Sequence, residues 1–388
     1  MDYTADPVHD DIRQAVRTLC SKFPDQYWME HDDSHEFPWE LYNAVAEGGW
    51  LGLTIPAEYG GGGLGVTEAA IVEQEIAASG AGMGGCSAVH IGIFGFEPII
   101  NHGSEDLKQR FLPRVVTGEL HTSFAVTEPD AGTDTTNIKT FAKKVEGGWL
   151  VNGKKVWITK ALEAERMLIL VRTSPRVDGA KRTDGMTLMF AEMDRTKVQI
   201  RPIPKMGRNA VDTNELFIDD LFVADQDVVG EVGKGFRTII GGLNAERVIS
   251  ANAAIGIGRA ALRRGTQYAK EREVFGRPIG QNQGIAFQLA EAKIRIEAAQ
   301  AVLDKASWLV DQGAPAGAEA NYAKWLCAEA GYYAADVALQ VHGGFGYGKE
   351  FHVERYFREA RLMRIAPISQ EMVLNYVAEH VLGLPRSY

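Results

Sequence analysis

The sequence predicts an α+β protein made of a helical domain, a β domain and a second helical domain. Three observations lead there. Apolar residues recur at helical spacing before residue 122 and again after 236. Between them, short runs rich in β-branched and aromatic residues alternate with turn dipeptides. A chain of 388 residues also exceeds one ordinary core, so about two or three domains are expected. A β zone placed between helical zones argues against a doubly wound α/β domain.

The first zone, 1–122, carries apolar residues such as Phe37, Leu41 and Val45, then Ile71 and Ile76. It is broken by the loop of four glycines, Gly60 to Gly63. The second zone, 123–235, has candidate strands at Phe124 to Thr127, Trp149 to Val151, Lys155 to Thr159, Met167 to Val171, Met186 to Met193 and Glu215 to Ile218. Gly147-Gly148 and Asp184-Gly185 are turn signals, and Asn152-Gly153 is the strongest hairpin signal. Short strands at this spacing predict a small β-barrel or sandwich. The third zone, 236–388, is Ala-rich, with long helical stretches at Ile285 to Leu309 and Ala316 to Val341.

Composition excludes several classes of function. Apolar residues at 45% and charged residues at 24% fit a soluble globular protein rather than a disordered one. Lys and Arg number 41 against 51 Asp and Glu, giving −10, so a general nucleic-acid role is not expected. Cys20, Cys86 and Cys327 have neither disulfide-framework nor zinc-site spacing, and the histidines form no metal-ligand cluster, so no metal is expected. They read as buried thiols in a reducing compartment. Met1 to Arg17 is charged and lacks an apolar targeting core, and no apolar run approaches a membrane span. A cytoplasmic protein with no membrane partner is expected.

Four segments carry chemistry. Phe124 to Asp134 joins a short strand to a turn rich in hydroxyls, able to present N–H and O–H groups to a planar polar ligand. Trp157-Ile158-Thr159 can cover an aromatic ring and hydrogen-bond its edge, although a Trp on a strand is by itself more often core. Arg272 to Ile279, followed by Gln283, places an Arg beside a Gly-Arg-Pro turn and suits a diphosphate. Gln340 to Tyr347 holds the pair Gly343-Gly344, where a ligand or backbone can approach closely. No strand precedes it, so it is not a Rossmann-type fingerprint.

Taken together, in this order and spacing, these segments resemble the acyl-CoA dehydrogenase family. The resemblance runs from Leu53-Thr54-Ile55-Pro56-Ala57-Glu58-Tyr59 to Leu384, with the turn Val126 to Asp134 and the cluster Gln340 to Glu359 matching the family's two diagnostic motifs. It implies an N-terminal helical domain, a middle β domain and a C-terminal four-helix bundle, assembled as a homotetramer with one FAD per subunit. By this resemblance Phe124, Val126, Thr127, Trp157 and Thr159 would surround the isoalloxazine, and Thr133 would lie near both flavin and pantetheine. Arg272, Phe275, Gln283, Gln340, Gly343 and Gly344 would reach the diphosphate and adenosine of a neighbouring subunit's FAD. Ser369 matches a flavin-contacting Thr, and Glu371 a cofactor-contact position often held by Gln. Asn137 and Asn282 depart from the usual residues at their positions.

The implied reaction removes an α-proton from an acyl-CoA thioester by a base and a β-hydride by flavin N5. Many members supply the base as Glu in a Tyr-Glu-Gly-Thr segment; here Ile365-Ala366-Pro367-Ile368-Ser369 replaces it, with Pro367 at the Glu position. A subset including isovaleryl-CoA and long-chain enzymes takes its Glu from another helix, and Glu246 falls on that position. Arg247 is expected to be structural or to touch the CoA part. Pro367 also lacks the N–H that the family offers to the thioester carbonyl. His90 and Cys86 read as packed core residues of a helix lining the acyl pocket. Electron-transferring flavoprotein is the expected acceptor. Two alternatives stand beside this reading: an oxidase or monooxygenase on the same fold, separable by oxygen uptake, and a weakly catalytic subunit of a hetero-oligomer. Activity of the chain purified alone would argue against the latter.

Overall fold

The computed structural model describes residues 6–386, apart from 178 and 180. Seven helices come first: α1 (Pro7–Cys20), α2 (Asp25–Ser34), α3 (Trp39–Glu47), α4 (Val66–Ile76), α5 (Gly82–Ile93), α6 (Glu97–His102) and α7 (Glu105–Val116). Their starts follow local chemistry. Asp6 caps α1 by accepting from the Val8 N–H at 2.9 Å, with Pro7 at the first helical position. Ser104 caps α7 by accepting from Leu107 N–H at 3.2 Å.

The stretch Val66–His102 is long and apolar enough to cross a bilayer by composition, which corrects the expectation that no run approaches that length. It is not one straight rod, because Gly80 (φ 116°) and Gly82 (φ 56°) break it between α4 and α5. Its α4 segment packs against the long helix of the third zone, and 61% of its most apolar window is buried.

The strands are β1 (Thr122–Ala125), β2 (Phe141–Val145), β3 (Gly148–Thr159), β4 (Arg166–Arg172), β5 (Met186–Glu192), β6 (Val198–Pro202), β7 (Thr213–Ala224) and β8 (Val228–Val229). They form one eight-stranded sheet in the order β6-β7-β3-β2-β4-β5-β8, with β1 parallel to β4. Alternation along β4 shows how the sheet folds over. Leu168 and Leu170 join a core with Phe96 and Phe111 of the helices. Met167, Ile169 and Val171 face the other way, into a core with Leu216 and Ile218 of β7.

The hairpin expected at Asn152-Gly153 is not there. Its place is taken by a register shift inside a continuous β3, and the turn into β3 is Glu146-Gly147, with Val145 opposite Gly148. A Cβ on Gly153 would meet Thr140 Oγ1 at 2.4 Å, and Asn152 exchanges hydrogen bonds with Asp220 at 2.8 and 2.9 Å. The dipeptide therefore serves a bulge and a close strand approach instead of a turn.

The third zone comprises α8 (Gly235–Glu271), a ribbon of β9 (Glu273–Val274) and β10 (Arg277–Pro278), α9 (Gln283–Asp311), α10 (Gly317–His342), α11 (Val353–Leu362) and α12 (Gln370–Tyr376). The long helices α8, α9 and α10 pack together, and α11 lies against α8 and α10. Small residues set the spacing: a Cβ on Gly331 would meet the Ala254 carbonyl oxygen at 2.3 Å, so α10 approaches α8 only because Gly331 has none. All three cysteines are buried and free, as expected.

Two imidazoles are held neutral by burial. His121 packs on Tyr42 and near Lys160, and His352 sits near Arg264 and Arg355; burial first, then these cations, lower each pKa to about 4. An unfolded His titrates near ~6.5. Between these values the unfolded chain binds more protons, so stability is complete above the unfolded pKa and is lost as pH falls towards the folded one. The urea midpoint should drop between pH 7 and pH 4.5, and a His121→Asn/His352→Asn variant should show a shallower drop.

Candidate active site

The site begins at the end of β1. Phe124 lies on the strand, and Val126 and Thr127 leave it for the turn. Glu128 and Ala131 close that turn by mutual backbone hydrogen bonds of 3.3 and 3.1 Å. Its shape is fixed from below. Glu128 accepts from the N–H groups of Lys139 and Thr140 at 2.6 and 3.0 Å and from Lys155 Nζ at 2.9 Å. Lys155 is fully buried and also donates to the carbonyls of Val126 and Leu170 at 2.9 and 2.7 Å. Burial pulls the Lys155 pKa down to about 8, which leaves it charged at neutral pH opposite an ionised Glu128.

β3 delivers the second part. A register shift between Lys155 and Ile158 gives Trp157 a φ of 64° and turns its indole outward, 58% exposed. Read locally, Trp157 would be core; the bulge decides otherwise. The Val156 N–H donates to the Thr127 carbonyl at 3.0 Å, which holds the bulge beside the turn. Thr159 follows on the same strand.

The helices complete the wall. Arg208, half-buried, donates to Thr159 Oγ1 at 3.3 Å, Thr213 Oγ1 at 2.7 Å and Ser87 Oγ at 3.2 Å, so β3 and α5 are tied through one guanidinium. Lys160 Nζ adds a 3.3 Å bond to the Ala88 carbonyl. One turn beyond Ser87 on α5 stands His90. Its Nε2 lies 3.1 and 3.0 Å from the two oxygens of Glu246 on α8. Leu243, on the preceding turn of α8, packs in one core with Phe124, Val126 and Ile91. Glu246 itself keeps 27% of its side chain exposed. Burial alone would raise its pKa, but His90 and Arg247 outweigh it and lower it. His90 in turn is raised well above its ordinary range: burial opposes its charge, and Glu246 and Glu73 override burial. Arg247 donates to Asn244 at 2.9 Å, and its Nε is buried without a partner.

Sequence reasoning read His90 as packing. The available signal was its setting, one imidazole in an otherwise uncharged helix of small and apolar residues.

A second group gathers elsewhere. The ribbon turns through Phe275 (φ 55°) and Gly276 (φ 75°), and Phe275 is wholly exposed at its tip. Arg272, the residue capping α8, lies over the Phe345 ring at 5.7 Å, beside Gly343 and Gly344 at the end of α10. Arg277 donates to Asn282 at 2.9 Å, which fastens the ribbon to the start of α9 at Gln283. Gln340 is exposed on the last turn of α10. From Glu246 to Arg272 the helix rises about 39 Å at 1.5 Å per residue, so one chain holds two separated groups. Ser369 caps α12 by accepting from Met372 N–H at 3.3 Å, and Glu371 is exposed in the first turn. Thr133 is exposed on the turn.

The first group fits an aromatic ring with hydrogen-bonding edges. Trp157 offers an open indole face, and a Cβ on Gly132 would meet nothing within 4 Å. Thr159, having accepted from Arg208, keeps its own O–H to donate.

Comparison with known proteins agrees with this layout. Family models match in three consecutive parts: the acyl-CoA dehydrogenase N-terminal domain over residues 6–119, the middle domain over 123–221 and the C-terminal domain over 233–382. Acyl-CoA dehydrogenase FadE12 of Mycobacterium tuberculosis is 38% identical over 385 residues, covering 97% of this chain and 96% of that protein. The crystal structure of acyl-CoA dehydrogenase from Geobacillus kaustophilus superposes with a TM-score of 0.91 at 29% identity, over 98% of this chain and all of that one. The FAD complex of PigA gives a TM-score of 0.92 at 26% identity, over 99% of this chain and 100% of that one. Sequence and fold agree over nearly the whole length, and the chain is an enzyme of the flavin-dependent acyl-CoA dehydrogenase family.

Proposed function

We propose that the protein is an FAD-dependent dehydrogenase that oxidises the α,β bond of an acyl-CoA thioester to the 2-enoyl-CoA, with Glu246 as the α-proton base. The observation that carries this reading is the Glu246 carboxylate, partly exposed and paired with His90 at 3.0 Å, one helical turn past Leu243, which packs against the same core as Phe124 and Val126. FAD, when bound, supplies the hydride acceptor. Phe124, Val126, Thr127, Thr133, Trp157 and Thr159 would hold its ring. Trp157 would cover one face of the ring, and the Thr159 hydroxyl would donate to its edge. Glu246 takes the α-proton; Arg247 and Thr133 face the substrate's carrier side.

Arg272, Phe275, Gln283, Gln340, Gly343 and Gly344 would serve the FAD of a neighbouring subunit. The separation along α8 supports this, because it exceeds the reach of an extended FAD, and the fully exposed Phe275 is displayed as a contact for another chain. A homotetramer, reoxidation by electron-transferring flavoprotein and a cytoplasmic location complete the proposal; the free buried thiols support a reducing compartment.

The test is anaerobic mixing of the yellow protein with a panel of acyl-CoAs. Bleaching of the flavin absorbance by at least one of them is expected. A yellow protein that none of them bleaches would sink the reading.

A further inference from the structure

The Glu246 pair is one half of a larger cluster. His90 presents both ring nitrogens to carboxylates: Nε2 to Glu246 at 3.0 and 3.1 Å, and Nδ1 to Glu73 Oε1 at 3.3 Å. Only the doubly protonated imidazole donates on both sides. Glu73 is buried, with 1% of its side chain exposed, and its Oε1 has no hydrogen-bond partner, the His90 Nδ1 at 3.3 Å being an ion-pair contact. An unpaired carboxylate at that depth is costly, so the imidazolium is what makes the position tolerable. His90 also sits in the last turn of α5, where the helix dipole favours a cation.

The scaffold around the cluster is stiff. Next to Glu73, Gln74 donates to Asn252 of α8 at 2.9 Å and accepts from Arg259 of α8 at 2.8 Å. The Cys86 thiol of α5 donates to the Glu73 carbonyl at 3.3 Å. Helices α4, α5 and α8 are therefore locked at the level of the cluster. Other ionisable groups face it from each packed element: Arg247 on α8, Cys86 on α5, Tyr376 of α12 towards Arg247, and Glu97 of α6, which a Cβ on Gly242 would meet at 2.6 Å. Lys160 reaches the Ala88 carbonyl from the strand side.

We infer that His90, clamped from behind by Glu73, is a positioning residue that holds the Glu246 carboxylate in one orientation, paired to a cation, ready to take the substrate's α-proton. The inference rests on Glu246 being the base. The proton leaves the α-carbon for a Glu246 oxygen, its bonding pair stays on the substrate carbon, and no proton leaves His90. The negative charge passes from Glu246 to the substrate's enolate, so the site's total charge is unchanged while the carboxylate becomes a neutral acid. Remote Glu73 thus acts on the reaction through the imidazole.

Two readouts on the holoenzyme test this. The first is the protonation state of His90, followed by NMR of ring-labelled histidine, with the resonance assigned from His90→Gln. In wild type the ring should stay charged well above the ordinary histidine range, and in Glu246→Gln or Glu73→Gln it should fall back towards it. The second is the pH dependence of flavin bleaching. His90→Gln keeps a donor but no charge, so burial then governs Glu246 and the acid limb should move to higher pH. Below that limb the rate should fall about tenfold per pH unit, while the alkaline plateau is kept. A wild-type His90 that titrates in the ordinary range, or a His90→Gln rate lowered equally at every pH, would overturn the inference. If Glu246→Gln bleaches as fast as wild type, the base assignment fails as well; normal His90 titration with an inactive Glu246→Gln would leave that assignment standing alone.

Discussion

Glu246→Gln should stay yellow, bind acyl-CoA and lose flavin bleaching by about 10²–10⁴-fold, the usual worth of a positioned general base. The amide matches the carboxylate in size, so α8 and its Leu243 packing are undisturbed. Its oxygen can still accept from His90 Nε2, which keeps the side chain in place, but it cannot accept the α-proton. Retained FAD is expected because the groups proposed to face the ring come from β1, the turn after it and β3, not from this part of α8. Stopped-flow absorbance with the best substrate of the panel gives the number. Bleaching at the wild-type rate would require another carboxylate. Glu371 is a poor one, exposed at the start of α12, and Glu97 is engaged with Asn101 at 2.6 Å.

The second large effect concerns stability and cofactor retention together. Lys155→Met should cost about 3–5 kcal/mol, because it strands Glu128 as a buried charge. Glu128 would keep the two N–H donors of Lys139 and Thr140 but lose the ammonium hydrogen-bonded to it. The carbonyls of Val126 and Leu170 would each lose a charged donor as well. Since Val126 and Thr127 form the turn proposed to face the ring, the variant should also purify with less flavin. Replacing both partners, Lys155→Met with Glu128→Gln, removes the stranded charge and should recover most of the urea midpoint. It should not recover full flavin content, because the Val126 carbonyl still lacks its anchor. Equal midpoints for Lys155→Met and wild type would show that the pair contributes nothing net.

Much of this layout was legible before any coordinates. The switch from a 3.6-residue to a 2-residue period near 122, and back near 236, is a property of neighbouring residues, and the strands and helices changed type at those places. The long helices read from Ile285 and Ala316 are α9 and α10, with ends displaced by one or two residues. Asn152-Gly153 misled because a glycine that permits a turn also permits a bulge. What chose between them was the Thr140 side chain, which lies against Gly153 from the residue just before β2. Trp157 was placed at the ring by resemblance, since a Trp on a strand is by itself more often core; its outward orientation depends on the register of β3 against β7, not on its own neighbours in sequence.

The sequence by itself determined the succession of helical, β and helical zones, the turns that can face a planar cofactor, and Glu246 as the carboxylate to test. Only the tertiary structure decided what surrounds that carboxylate. His90 and Glu246 are 156 residues apart and meet because α5 and α8 are packed against the same α4. Local periodicity records which face of a helix is buried, and a buried histidine looks the same in it whether it fills space or holds a charge. The difference lies in Glu73 and Glu246 arriving from two other helices, and side chains that meet across such distances leave no trace in spacing.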